Sequence, residues 1–202
     1  MRGGFASLSR CLLWSAVAFL ALGACGKEQQ GTPDWARVVV GDLNESERAQ
    51  ELRASEASAA IQYRMFGIIR MATAAGGAMP DLHCCADASA KALAEISGDK
   101  ELAVGRTSYR LRNPKNAPPA WAKTLVDSRT VQDALFRHAD GRIAALYPMR
   151  MQRSCLSCHG QSKDIPADVR SELAKLYPQD EAVNFTYPGI RGYVWVEVPA
   201  EN

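Results

Sequence analysis

Residues 135–147, LFRHADGRIAALY, read as two β-runs folded back on each other at Asp140-Gly141. Asp-Gly between such runs is a strong hairpin signal, because tight hairpin turns need positive φ and glycine supplies it at little cost. Outward from this hairpin, residues 192–199 (GYVWVEVP) make a clear final strand. Residues 102–112 (LAVGRTSYRLR) alternate with β-formers and read as a strand or two. Upstream, residues 44–75 follow a helical period, with Asn44 or Ser46 able to cap the start. Leu52, Ala59, Phe66 and Ile69 fall near one face, with Ile61, Met65 and Ile68 beside them. Gly76-Gly77 stops that helix. Further helices are expected from about Pro80 to Ile96, from about Ala120 to Leu135 after a rigid turn at Asn113–Pro119, and around Pro166–Leu176. Helices first, then an antiparallel sheet with helices inserted between strands, is the pattern of an α+β domain.

The N-terminal segment stands apart. Cys11–Leu22 (CLLWSAVAFLAL) is apolar except for Ser15, and it follows Arg2 and Arg10. That is the form of a secretory signal, and it falls short of the roughly 20 residues needed to cross a bilayer. Leu22-Gly23-Ala24-Cys25 then resembles a bacterial lipobox. The expected organisation is a signal peptide over 1–24, a lipidated Cys25, a Gly-, Pro- and polar-rich tether over 25–43, and a folded domain over 44–202. Gly26 rather than Asp after the cysteine favours the outer membrane of a Gram-negative cell, facing the periplasm. Acyl chains hold such a protein firmly, at about 0.8 kcal/mol per buried methylene. The net charge of +2 sits entirely in Arg2 and Arg10; without them 22 basic side chains balance 22 acidic ones. A neutral mature chain has no electrostatic footprint for nucleic acid.

Cys155-Leu156-Ser157-Cys158-His159 carries the chemistry. Two thiols three positions apart can reach the two vinyl groups on one edge of a porphyrin, and the following histidine is then held under the iron. This is the attachment pattern for one c-type haem. A thioredoxin-like disulfide would want a βαβ context, whereas a hairpin precedes this motif. A zinc site would want a second C-x-x-C-like pair, which the adjacent Cys84 and Cys85 cannot form. The second iron ligand is open among His83, Cys84, Cys85, His138 and the methionines Met65, Met71, Met79, Met149 and Met151. Cys84 and Cys85 stand out because an oxidising compartment leaves unassigned thiols needing a partner, a metal or burial. A vicinal disulfide or two buried thiols is the plain alternative.

Residues 106–121 (RTSYRLRNPKNAPPAW) resemble the R-x-S-x-R-x-R-N-P-x-N-x-P-x-x-W signature of periplasmic c-type haem domains with a PAS-like fold. Those domains occur alone or as sensor modules of histidine kinases and chemoreceptors. The resemblance continues through Cys155–Gly160, Tyr177–Asp180 with Ala182, and Gly189–Gly192, so it spans about Gly76 to Val198. It departs at Ala122, where an acidic residue usually follows the Trp, and at Asn184, where many relatives carry Gly. The resemblance implies a PAS-like antiparallel sheet. It also implies that the cysteine of Leu82-His83-Cys84-Cys85 corresponding to Cys85 is the second axial ligand, with Cys84 the alternative. Arg106, Arg110 and Arg112, alternating along one strand, share a face that is either solvated or meets the haem propionates in planar pairs.

The expected function is that of a single-haem, lipid-anchored periplasmic module for electron transfer or for redox or ligand sensing, acting through a redox or signalling partner. A thiolate in the sixth position argues against a catalyst such as a peroxidase. A haem-free, disulfide-bonded structural lipoprotein is the third reading.

Overall fold

A computed structural model of the protein describes residues 34–74, 89–98 and 101–200. The signal peptide, Cys25, and the segment holding His83, Cys84 and Cys85 lie outside the described residues. Among the described residues, no helix is long and apolar enough to cross a membrane.

The chain is α+β. Its centre is a five-stranded antiparallel sheet of β1 (Trp35–Val38), β2 (Ala103–Thr107), β3 (Ala134–His138), β4 (Ile143–Arg150) and β5 (Ile190–Val198). The strands lie in the order β1-β3-β4-β5-β2. The expected hairpin is β3–β4, with Ala134 opposite Leu146 and Arg137 opposite Ile143. Gly141 sits in its turn at φ 89°. The tether reading is corrected at its C-terminal end. Trp35–Val38 pair antiparallel with β3, Trp35 opposite His138, so this short stretch is an edge strand and the domain starts well before residue 44. The Gly, Pro and polar residues before it concealed it, although Trp35, Ala36 and Val38 are themselves apolar.

The sheet buries both faces. On one lies α1 (Glu45–Ala74), whose N-terminus is a capping box: Glu47 N–H donates to Asn44 Oδ1 and Asn44 N–H to Glu47 Oε2, both at 2.9 Å. The buried stripe is Gln50, Ala54, Ala57, Ser58 and Ile61. It packs on Ile143, Ala145 and Tyr147 of β4 and Val194, Val196 and Val198 of β5. The expected Leu52 face is corrected, since Leu52 is 56 % exposed. Small residues win the inner face because they let the helix approach the sheet closely. A second helix, α2 (residues 89–98), joins the same core through Leu93 and Ile96.

The opposite face packs Phe136, Ala144, Leu146 and Tyr193 under Trp121, Leu125 and Val126. Here the expected helix from Ala120 to Leu135 shrinks to a 3-10 turn at Ala120–Ala122 followed by α3 (Lys123–Asp127). Ala122, standing where an acidic residue was expected, is fully buried and gives α3 no side-chain cap. Arg129 at φ 57° turns the chain back, and β3 begins at Ala134. After β4 come α4 (Leu156–His159) and α5 (Ala167–Leu176).

Candidate functional site

β4 delivers the chain to a 3-10 turn at Arg153–Cys155 that runs directly into α4, so Cys155, Cys158 and His159 lie on one continuous turn and a half of helix. Two small clusters clamp this turn from either side. Cys155 packs with Met151, Ala182 and Phe185, while Cys158 packs against Ile165, Val169 and Leu173. No disulfide joins the two cysteines. The Cys155 thiol accepts a hydrogen bond from the Gln152 N–H at 3.3 Å.

Residues 182–185 run beside the turn. Asn184 N–H donates to the Gly160 carbonyl at 2.7 Å, and Phe185 N–H to the His159 carbonyl at 2.9 Å. The Phe185 ring stands edge-on to the His159 ring at 6.0 Å. His159 Nδ1 lies 2.7 Å from the Ala182 carbonyl. A carbonyl only accepts, so Nδ1 carries the proton and the Nε2 lone pair is left for another partner. Burial holds the imidazole well below its ordinary pKa of 6.5, reinforced by Arg191 and Arg112, so it is neutral at neutral pH. A neutral imidazole with its Nδ1–H fixed by a carbonyl is the usual state of a metal-binding histidine. Among the described residues, no three His, Cys, Asp or Glu side chains converge to hold a bare metal ion.

The turn forms part of a cleft of about 290 Å³. One wall is apolar, made by Met65, Phe66, Ile68 and Ile69 of α1 and Leu93 of α2. The other carries Arg106, Arg112 and Arg191 beside Cys155, Cys158 and His159. Arg112 pairs with Asp180 at 3.0 Å, the two side chains only 14 % and 11 % exposed. Arg191 is half-buried with Arg112 and Arg106 close by, and its pKa is pushed down to about 9 by desolvation first and by the two neighbouring cations second. Arg106 Nη1 reaches the Met65 sulfur at 3.7 Å.

The three expected arginines do not share one strand face. β2 ends at Thr107, because Ser108 Oγ accepts from Arg110 N–H at 3.2 Å while donating to the Arg191 carbonyl at 2.8 Å, which bends the chain. Arg106 and Arg112 reach the cleft. Arg110 instead donates to the carbonyls of Val183 and Asn184 at 2.9 and 3.0 Å and lies over Phe185. Arg191 was missed as a site residue, although it sits inside the Gly189–Gly192 block. Its signal was a cation between two glycines at the start of a strand, which sequence alone does not link to Arg106 and Arg112. His138 lies elsewhere, packed against Trp35 with the rings tilted and their centroids 4.6 Å apart.

The family model described as Tll0287-like matches residues 32–199. The chain belongs to the Tll0287-like family. The match begins upstream of β1, in keeping with the edge strand as part of the domain. Among solved structures, the cyanobacterial heme-protein Tll0287 superposes with a TM-score of 0.57 at 22 % identity, over 79 % of this chain and 99 % of that one. At that identity the likeness is one of fold. No curated protein matches the chain in sequence.

Proposed function

We propose that this protein carries one haem joined covalently to Cys155 and Cys158, with His159 as an iron ligand, and that it works as an electron-transfer or redox-sensing module rather than as a catalyst. The observation that carries this reading is the pairing of His159 Nδ1 with the Ala182 carbonyl on a turn that also bears both thiols. It leaves Nε2 as the basic nitrogen of a neutral histidine.

The cleft around that turn suits the group. A porphyrin is a flat apolar ring with two carboxylates at one edge. The α1 wall is apolar, and the facing wall holds Arg106, Arg112 and Arg191, with Arg112 paired to Asp180. Guanidinium groups in such a cluster suit carboxylates, which they meet in planar pairs. When bound, haem supplies an iron that takes up and releases one electron. The chain's own residues hold it, orient the histidine and limit water from the α1 side. The solved relative in fold is described as a heme protein, which supports the same group here. Cys85, or its neighbour Cys84, would provide the second ligand. The elements either side of their segment, α1 and α2, both line the cleft. The lipobox at Cys25 would hold the mature chain in the periplasm at the outer membrane.

Mass spectrometry of protein matured in a Gram-negative periplasm with the cytochrome c assembly machinery tests the covalent attachment and the lipid anchor together. The mature chain is expected to begin at an acylated Cys25 and to carry one haem mass that survives denaturation. C155A/C158A loses that mass. A bare-chain mass from the wild type would end the reading, and a mass two hydrogens lower still would support the disulfide alternative.

A further inference from the structure

Arg112 ties together three groups that no secondary-structure element shares. Its Nε donates to Asp180 Oδ2 at 3.0 Å. Its Nη2 donates to the Cys158 carbonyl at 2.6 Å and to the Ala182 carbonyl at 3.3 Å. The Ala182 carbonyl is the same oxygen that His159 Nδ1 approaches at 2.7 Å. The other end of that residue is also fixed, because Ala182 N–H donates to Asp180 Oδ1 at 2.7 Å. One oxygen therefore serves two donors, one of them a cation. It has lone pairs for both, but a guanidinium draws electron density from the carbonyl and weakens what it offers the imidazole.

We propose that Arg112 is a positioning residue that sets the electron-donating strength of His159 by sharing the Ala182 carbonyl with it. This rests on the haem reading above. A histidine whose Nδ1–H is held strongly becomes a more basic ligand, which favours the more highly charged iron. Arg112 works in the opposite sense and keeps the potential up. Its role also explains why the signature arginine at this position points its donors at protein oxygens and why Asp180 lies beside it. Lysine cannot replace it, since an ammonium is a point charge on a flexible stem and cannot span a carboxylate and two carbonyls at fixed angles.

Reduction potentials and ferric electron paramagnetic resonance spectra of the covalently loaded wild type, R112K and R112Q test the idea. Both variants are expected to fall to lower potential, with g-values moved toward those of a stronger histidine donor. R112K is decisive because it keeps the charge. If R112K holds the wild-type potential while R112Q drops, charge alone matters and the proposal is wrong. Unchanged g-values in both variants would also overturn it. Should neither variant accumulate, the wild type decides. Proton hyperfine coupling at Nδ1 should be that of a neutral imidazole, and an imidazolate-like spectrum overturns the proposal. A wild type lacking covalent haem fails the haem reading itself, and this proposal with it.

Discussion

Asn184 shows how one residue holds the site's edge. Its φ of 61° lies in the left-handed region. Asparagine tolerates that region better than most residues, although glycine tolerates it best. Here the side chain compensates: Asn184 Oδ1 accepts from Ser162 N–H at 3.0 Å and from Ser162 Oγ at 3.3 Å. Asn184 thus holds a backbone conformation that glycine also favours, and its side chain adds two bonds. Asn184→Ala keeps the strain and loses both bonds, so it should cost about 1–2 kcal/mol. Asn184→Gly loses the bonds but relieves the strain and should cost about 1 kcal/mol or less. Urea unfolding of the two variants checks the order. Equal losses would mean that backbone strain is not what the asparagine manages. That Cys155, Cys158 and His159 share one turn was legible from spacing alone, because that placement is local. Arg191 was not, because its meaning comes from Arg106 and Arg112, which reach it only across the folded sheet.

Among the elements, β2 and β5 depend on two glycines that differ in kind. A Cβ on Gly105 would overlap the indole of Trp195, which stands opposite it in the ladder. A Cβ on Gly192 would overlap the Thr107 carbonyl oxygen, part of the backbone where β2 ends. An indole can rotate aside, whereas a carbonyl held in a strand cannot. Gly105→Ala is therefore expected to cost about 1 kcal/mol and Gly192→Ala about 3 kcal/mol, at the two ends of the usual overpacking range. Thermal unfolding that ranks them the other way would show that the strands separate more easily than the ring turns. Gly192→Ala should also disturb the cleft, because Arg191 is its neighbour. The hairpin strands β3 and β4 and the final strand β5 were easy to read in sequence, from their β-formers and the Asp140-Gly141 turn, whereas β1 was not. The helices were harder. α1 shows apolar residues on several faces, and the face that packs is the one with alanines at 54 and 57. Close approach to the sheet selected it, and that preference has no signature in hydrophobicity.

Across the whole molecule, Glu47 joins the start of α1 to the sheet. Arg137 of β3 donates to it through Nε at 2.5 Å and Nη2 at 2.8 Å. The Arg137 side-chain hydrogen bond holds the Glu47 carboxyl below its ordinary range, against the opposing pull of burial. A carboxylate lowered on folding contributes stability that is present above its unfolded pKa and lost as pH falls through the folded one. Stability should therefore drop on acidification below the ordinary carboxylate range. Glu47→Gln should flatten that part of the curve and cost about 1 kcal/mol or less near neutrality, given that Arg137 is partly solvated. Urea midpoints at several pH values check this, and parallel curves for the two proteins would refute it. By itself the sequence determined the α+β class, the hairpin, the final strand and the C-x-x-C-H turn, because each is written in neighbours a few residues apart. The tertiary structure alone decided which arginines meet at the cleft, that Trp35–Val38 close the sheet, and that one carbonyl serves both Arg112 and His159. Those depend on strand register and on chain segments far apart in sequence, where no local period or spacing records the contact.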